Sequence, residues 1–372
     1  MAIVSSPRGA AVPVEAVSVA AYRVPTDAPE ADGTFAWDAT TAVVVEVTAG
    51  GQVGLGYTYA DTATAALVRD LLADVVRGRD ALAVPAAWAA MVGAIRNLGR
   101  PGIASMAVAA VDVALWDLKA KLLDVALVDL LGAAHDAVPA YGSGGFTSYS
   151  PDQLRQQLDG WAADGLRMVK MKVGSRPEED LARVSTARSA VGPDVQLFVD
   201  ANGAYERKQA LWFAEAYRDL DVRWFEEPVS SDDLDGLRLL RDRGPGSMAV
   251  AAGEYGYDLS YFRRMLEAGA VDVLQADASR CGGISGFLQV GALCEARSLP
   301  LSAHCAPSLH LHACAALRPV VHLEYFHDHV RIERLLFEGA VDPVDGALRP
   351  DHSRPGIGLE LRHGDAERWR VA

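Results

Sequence analysis

Seven polar residues, Lys172, Asp200, Glu226, Glu254, Asp277, His304 and Glu324, each close a short apolar run. The steps between them are 28, 26, 28, 23, 27 and 20 residues, about the chain needed for one strand, one helix and two short loops. A charged side chain at the end of successive strands in a closed parallel barrel would bring all seven to one rim, the face where such barrels carry their chemistry. Asp200, Glu226 and Glu254 are successive carboxylates. Two like charges about 4 Å apart repel by roughly 4 kcal/mol at an effective dielectric near 20, so three converging acids require protons or a divalent cation. Oxygen ligation with few protein donors suits Mg2+, with Mn2+ as a substitute, whereas zinc would prefer His or Cys. Any one of these acids alone reads as a solvated surface carboxylate; their regular placement at strand ends favours the metal. Glu227 follows Glu226 and points elsewhere by the two-residue alternation of a strand, which gives it a supporting role. Asn202 either binds metal-bound water or forms a turn.

Candidate bases flank the acids. Lys170 and Lys172 lie on one side of the apolar strand VKMKV, since alternate residues share a face. A nearby cation and each other's charge are expected to lower their pKa values. Lys172 is then a base, and Lys170 its electrostatic neighbour and a contact for a substrate carboxylate. Asp277, one barrel unit before His304, can hold one imidazole nitrogen and free the other for proton transfer. Glu324 either donates a hydrogen bond to a substrate oxygen, given a raised pKa, or pairs with Arg331 or Arg334. His310/His312 and His327/His329 hint at zinc, but residues two apart on a helix do not face one another, and the reading is set aside.

Elements able to position these groups follow from the patterning. Val14–Val24, Thr41–Thr48 and Gln52–Tyr59 read as strands, the last two joined by a turn at Ala49–Gly51. Residues 25–40, rich in Pro, Asp and Gly, read as a lid or binding loop. Phe35 and Trp37 within it, with Tyr57, are candidate substrate contacts, and Asp27, Glu30, Asp32 and Asp38 either bind hydroxyls or solvate the loop. Helical spacing marks 61–76, 103–123 and 127–133. From about Val138 eight strand candidates alternate with helices: 138–141, 168–173, 195–200, 222–226, 249–254, 271–274, 299–304 and 321–324. Alternation implies parallel pairing through right-handed crossovers. A doubly wound sheet would need a glycine fingerprint that GSGGF at 142–146 lacks. The domains expected are 1–134, an α+β cap with its lid; 135–336, the barrel; and 337–372, a segment returning over the cap.

Half of the 372 residues are hydrophobic, enough for a large core, and the formal net charge of −14 argues against nucleic acid or an anionic membrane as partner. No apolar run is long enough to span a bilayer, and the Met1 start lacks the pattern of a secretory leader. Four cysteines without a C-x-x-C pair suit a reduced, cytoplasmic protein. Cys281 and Cys305 fall near the rim, where a packed thiol is the plain reading and a reactive one the alternative.

Taken in order, VKMKVG (169–174), FVDANGAY (198–205), WFEEPV (224–229), AAGEYGY (251–257), LQADASRCGGISG (274–286), LSAHCAP (301–307) and HLEYF (322–326) resemble the enolase superfamily, and within it the mandelate racemase subgroup. AVDVALWDLKAKLL (110–123) resembles the helix joining that family's two domains. The resemblance implies an α/β protein, a modified TIM barrel, (β/α)7β, with an N-terminal α+β capping domain. It also implies Mg2+ on Asp200, Glu226 and Glu254, Lys172 as one base, the His304–Asp277 dyad as the other, and removal of the proton α to a carboxylate through an enediolate. A homo-oligomer, often an octamer, is a further implication. Muconate-lactonising relatives place a Lys where QADASR has Asp277, so cycloisomerase and dipeptide epimerase readings fall. Dehydration of an acid sugar to a 2-keto-3-deoxy acid leads, a 2-hydroxy-acid racemase follows, and a non-catalytic barrel is third. Tyr255 after Glu254 and Cys305 after His304 depart from the family pattern and bear on the substrate.

Overall fold

Eight strands and their helices would not by themselves fix a rim; closure does. The computed structural model describes residues 11–372; the reading of the Met1 start lies outside them. Three antiparallel strands, β1 (Ala16–Ala31), β2 (Ala36–Ala49) and β3 (Gln52–Tyr59), form the sheet of the cap. Eight parallel strands follow: β4 (Val138–Gly144), β5 (Met168–Lys172), β6 (Gln196–Asp200), β7 (Val222–Glu226), β8 (Ala249–Ala252), β9 (Val273–Ala276), β10 (Leu301–Ala303) and β11 (Val320–Phe326). Each pairs with its successor, and β11 pairs with β4 to close the barrel. Seven helices connect them and another, His327–Leu336, follows the last strand. The architecture is thus the modified barrel with a capping domain.

Alternation within the strands sorts the core. Val169, Met171, Leu197, Val199 and Phe225 point outward into the layer of helices. Tyr141, Phe198, Trp224, Ala251 and Val273 point inward and plug the barrel, with Phe198 stacked on Trp224 at 5.4 Å. Above this plug the ladder register places Lys172 beside Asp200 and Asp200 beside Glu226. One layer is therefore apolar and the next charged, as the spacing of inward residues requires.

The 20-residue helix Ile103–Leu122 docks the cap on the barrel. Its buried Asp112 accepts from Ser285 N at 2.9 Å and Ser285 Oγ at 2.7 Å. The neighbouring Gly283 (φ 87°) is needed there, because a β-carbon would lie 2.3 Å from Asp112 Oδ2. At the other end of the chain, Val371 N and Ala372 O bond to Ala21 of β1, and Gly356 O accepts from Leu127 N.

The lid differs from its expected form. Residues 25–40 are not a loop: β1 and β2 continue pairing to Ala31 and Ala36, with a bulge between Pro25 and Glu30. Prolines cannot donate to a ladder, and the bulge takes up Pro29. The tip is then held by the barrel: Thr147 N donates to Ala31 O at 2.8 Å, Thr147 Oγ1 to Asp32 O at 2.8 Å and Ser148 Oγ to Pro29 O at 2.6 Å.

Candidate active site

All seven strand-end residues are buried, at 5% exposure or less, and gather at one end of the barrel. Lys172 Nζ lies 2.5 Å from Asp200 Oδ2. Lys170 Nζ sits deeper, 2.8 Å from both oxygens of Glu226 and 2.8 Å from Glu324 Oε1, over the face of Tyr141. Burial works to lower both lysine pKa values, but Asp200 at Lys172, and Glu226 and Glu324 at Lys170, outweigh it and hold both above the usual value. The expected depression is therefore reversed: each lysine has its own carboxylate, and these attractions exceed the repulsion between the two amines. Lys170 does not line the cavity above, so its placement fits an electrostatic neighbour rather than a substrate contact.

Across the barrel mouth, His304 Nδ1 lies 2.9 Å from Asp277 Oδ2. Burial works against an imidazolium, but Cys305, Glu254 and Glu324 and the bond to Asp277 together hold its pKa well above the free value. Burial raises Asp277, while its bonds to His304 and the nearby His310 more than compensate and hold it low. Glu324 bonds to Lys170, Ser143 Oγ and Cys305 N. Its partners are not Arg331 and Arg334, which pair with Asp328 and Asp342. Burial raises Glu324, yet Lys170 and His304 bring it below the ordinary carboxylate value, opposite to what a neutral donor needs.

The acid cluster fits a cation. One oxygen each from Asp200, Glu226 and Glu254 lie within 4.8 Å of one another. Burial and then the Asp200 charge push Glu226 up to about 8, and burial with Glu254 and Asp200 pushes Glu227 well up. The two lysines thus leave negative charge uncompensated. Glu227 Oε1 and Asn202 Oδ1 are buried without a hydrogen-bond partner, and Glu254 Oε2 has only the ionic contact of His304 Nε2 at 3.3 Å, which leaves acceptor capacity that a bound ion and its waters would satisfy.

Above the cluster opens a cavity of about 460 Å³, walled by Lys172, Asn202, Glu254, His304, Cys305 and Glu324 below and by the lid above. Phe35 and Trp37 line it, stacked with centroids 6.1 Å apart. Of the lid acids only Asp32 lines it; Asp27 pairs with His327, Glu30 accepts from Trp37 Nε1 and Asp38 pairs with Arg23. Tyr57, expected as a substrate contact, is buried and does not line the cavity. Its hydroxyl donates to buried Glu333 at 2.6 Å, and Tyr59, nearer the strand end, reaches the cavity instead. Sequence reasoning missed Arg280 and His329. Arg280 lines the cavity and donates to Glu254 O at 3.1 Å; its signal was its position one turn after Asp277. His329 stacks on Tyr59 at 3.4 Å, a contact between distant segments that no local pattern shows. His310 and His312 serve the backbone, accepting from Ala278 N and Val128 N.

A capped, closed parallel barrel with two lysines, a His–Asp pair and an acid triad at its strand ends defines a class of metal-assisted barrel enzymes. Comparison narrows the class. Residues 16–132 match the mandelate racemase/muconate lactonizing enzyme N-terminal domain, and residues 153–366 the enolase C-terminal domain-like family. The chain belongs to this family within the enolase superfamily. A 3,6-anhydro-alpha-L-galactonate cycloisomerase of Streptomyces coelicolor is 34% identical, covering 94% of this chain and 97% of its own. Acid-sugar dehydratases recur among other curated relatives. Among solved structures, a mandelate racemase/muconate lactonizing enzyme-like protein from Rubrobacter xylanophilus is 56% identical, with TM-score 0.95, over 96% of this chain and all of its own. An L-talarate dehydratase from Polaromonas sp. JS666, complexed with Mg and L-glucarate, is 30% identical, with TM-score 0.88, over 97% and 98%. Magnesium is the family's cation. The exclusion of cycloisomerases does not hold, since one is a full-length relative: a missing strand-six Lys rules out one base arrangement, not ring chemistry.

Proposed function

We propose that this protein dehydrates an acid sugar to a 2-keto-3-deoxy acid. The observation that carries the reading is that Lys172 and the Asp277-held His304 open onto one polar cavity from far sides of the barrel, over the acid triad. Asp200, Glu226 and Glu254 would hold the cation, which when bound would supply positive charge to the substrate carboxylate as negative charge develops there. Asp200 holds the Lys172 proton in this structure; a cation drawing on that carboxylate would free the amine, and Lys172 then takes the proton α to the substrate carboxylate. His304 Nε2 protonates the β-hydroxyl, which leaves as water, and the resulting enol becomes the ketone. Asp277 keeps the imidazole oriented through Nδ1. Arg280, Thr40, Thr41 and Asn202 supply polar groups for the remaining hydroxyls, and the hairpin excludes water. Each ~1.4 kcal/mol gained in the transition state is worth about tenfold in rate.

Resemblance over the whole chain to the Streptomyces cycloisomerase favours a second reading. On that reading the same proton is removed, but a ring oxygen leaves in place of a hydroxyl, and the ketone is an isomer of the substrate. Four unpaired, buried cysteines support a reducing compartment, and no helix among the described residues is long and apolar enough to cross a membrane.

Incubation with acid sugars, their lactones and anhydro forms in Mg2+, read by ketone formation and mass, tests the assignment. A ketone with loss of water is expected. A ketone of unchanged mass selects the second reading, and inversion without a ketone selects a racemase.

A further inference from the structure

Beside the oxygen triad lies a second donor set of different chemistry. Cys305 Sγ is 3.3 Å from His304 Nε2 and 3.4 Å from Glu324 Oε2, and His304 Nε2 is 3.8 Å from Glu324 Oε2. Tetrahedral zinc, with bonds of about 2.3 Å to sulfur and about 2.0–2.2 Å to nitrogen or oxygen, separates its ligands by roughly 3.3–3.6 Å. The triangle already has nearly those edges. Its surroundings also suit a metal. His304 Nδ1 is tied to Asp277 Oδ2 at 2.9 Å, the outer contact that aims the opposite nitrogen at an ion. Glu324 Oε1 is taken up by Lys170 and Ser143, which leaves Oε2 turned toward the sulfur. A left-handed backbone at Cys305 (φ 53°) and Ala306 (φ 41°) turns the thiol to this side. All three residues line the cavity, so a fourth position faces its interior.

We propose that His304, Cys305 and Glu324 form an inhibitory site for a thiophilic divalent cation, Zn2+ foremost. Oxygen-only ligands at Asp200, Glu226 and Glu254 suit magnesium, whereas a thiolate and an imidazole suit zinc. Binding releases two protons to solvent, one from the thiol and one from Nε2 of the imidazolium, forms bonds to sulfur, Nε2 and Oε2, and removes Nε2 from proton transfer. That the bound ion inhibits rests on the reading of His304 as the acid; that it binds does not.

The test uses the full chain saturated with Mg2+, titrated with Zn2+ or with Co2+ as a spectroscopic probe. One equivalent of Co2+ should give a thiolate-to-metal charge-transfer band that Zn2+ abolishes and that Cys305→Ser and Cys305→Ala lack. Zn2+ should suppress turnover in step with occupancy, and Cys305→Ser should need at least about tenfold more Zn2+ for the same loss. Absence of the band in the unaltered protein would overturn the proposal. So would zinc inhibition that is equal in Cys305→Ser and relieved by excess Mg2+, which would put zinc on the oxygen triad. A thiolate band with undiminished turnover would overturn inhibition by this route and with it the role of His304, while leaving the ligand set standing.

Discussion

Gly33, at the tip of the hairpin, rests on the barrel rim so closely that a β-carbon would lie 2.3 Å from Ala201 O and 2.7 Å from Val173 O. Both atoms are backbone following β6 and β5, and neither can swing aside as a side chain would. In Gly33→Ala the tip must retreat by about 1 Å, and overpacking of this kind costs roughly 1–3 kcal/mol. Retreat also strains the bonds from Thr147 to Ala31 O and Asp32 O, both 2.8 Å, each worth about 1 kcal/mol net. The hairpin lies at the edge of the fold, so it can lift rather than unfold the protein. The closed arrangement should lose about 2–3 kcal/mol against an open one, a fall in kcat/KM of roughly 30- to 150-fold. Phe35 and Trp37 move with the tip, and the cavity loses its upper wall. Steady-state kinetics on the acid sugar identified as substrate, beside limited proteolysis of the tip, reads both effects. If kcat/KM stays within about twofold of the parent while the tip remains protected, the hairpin is not the lid described.

Other expectations bear on separate parts of the account. Burial pushes Glu333 from 4.5 up to about 7, and its bonds to Ser308 and Tyr57 only partly offset this. The folded chain therefore keeps a proton that the unfolded chain releases between these values, and stability should fall as pH rises through that window, by up to about 3 kcal/mol at ~1.4 kcal/mol per unit. Denaturant melts of Glu333→Gln should lack this slope; an unchanged slope would assign it to other groups. Magnesium at a hundred times its Kd should stabilise the protein by about 2.7 kcal/mol, and thermal melts of Glu226→Gln should show little of that gain. In Asp277→Asn the acceptor for His304 Nδ1–H is lost, so kcat should drop by roughly 10²–10⁴ with little change in fold, as circular dichroism beside kinetics would show.

What the sequence disclosed and what it hid have separable causes. Strand ends were legible because Lys172, Asp200 and Glu226 each break an apolar run, and the ladder register then places them side by side. The pattern places the sixth barrel strand at 271–274, two residues before β9 begins, yet Asp277 still follows β9 directly, since the acid rather than the strand boundary carries the signal. The lid was obscured because Pro25, Pro29 and Gly33 argue locally for a loop, while its strands are held by Thr147 and Ser148 from β4's far side of the chain. Helix Val84–Ala94 has no clear signature in the sequence, because its Ala-rich run carries little amphipathic contrast. Tyr57 and Tyr59 share a strand face, so alternation alone could not separate the one beneath Glu333 from the one at the cavity. Pairings such as Lys170 with Glu324, or Arg280 with Glu254, join residues far apart in the chain.

Exchange of the substrate's α-hydrogen with solvent deuterium, followed by NMR in the presence of Mg2+, tests most directly that a carbon acid is ionised between Lys172 and His304. Deuterium should enter the α position or its product equivalent with the unaltered protein, and neither Lys172→Ala nor His304→Asn should retain both exchange and net turnover. Full exchange and turnover in both variants, with the fold intact, would contradict the account.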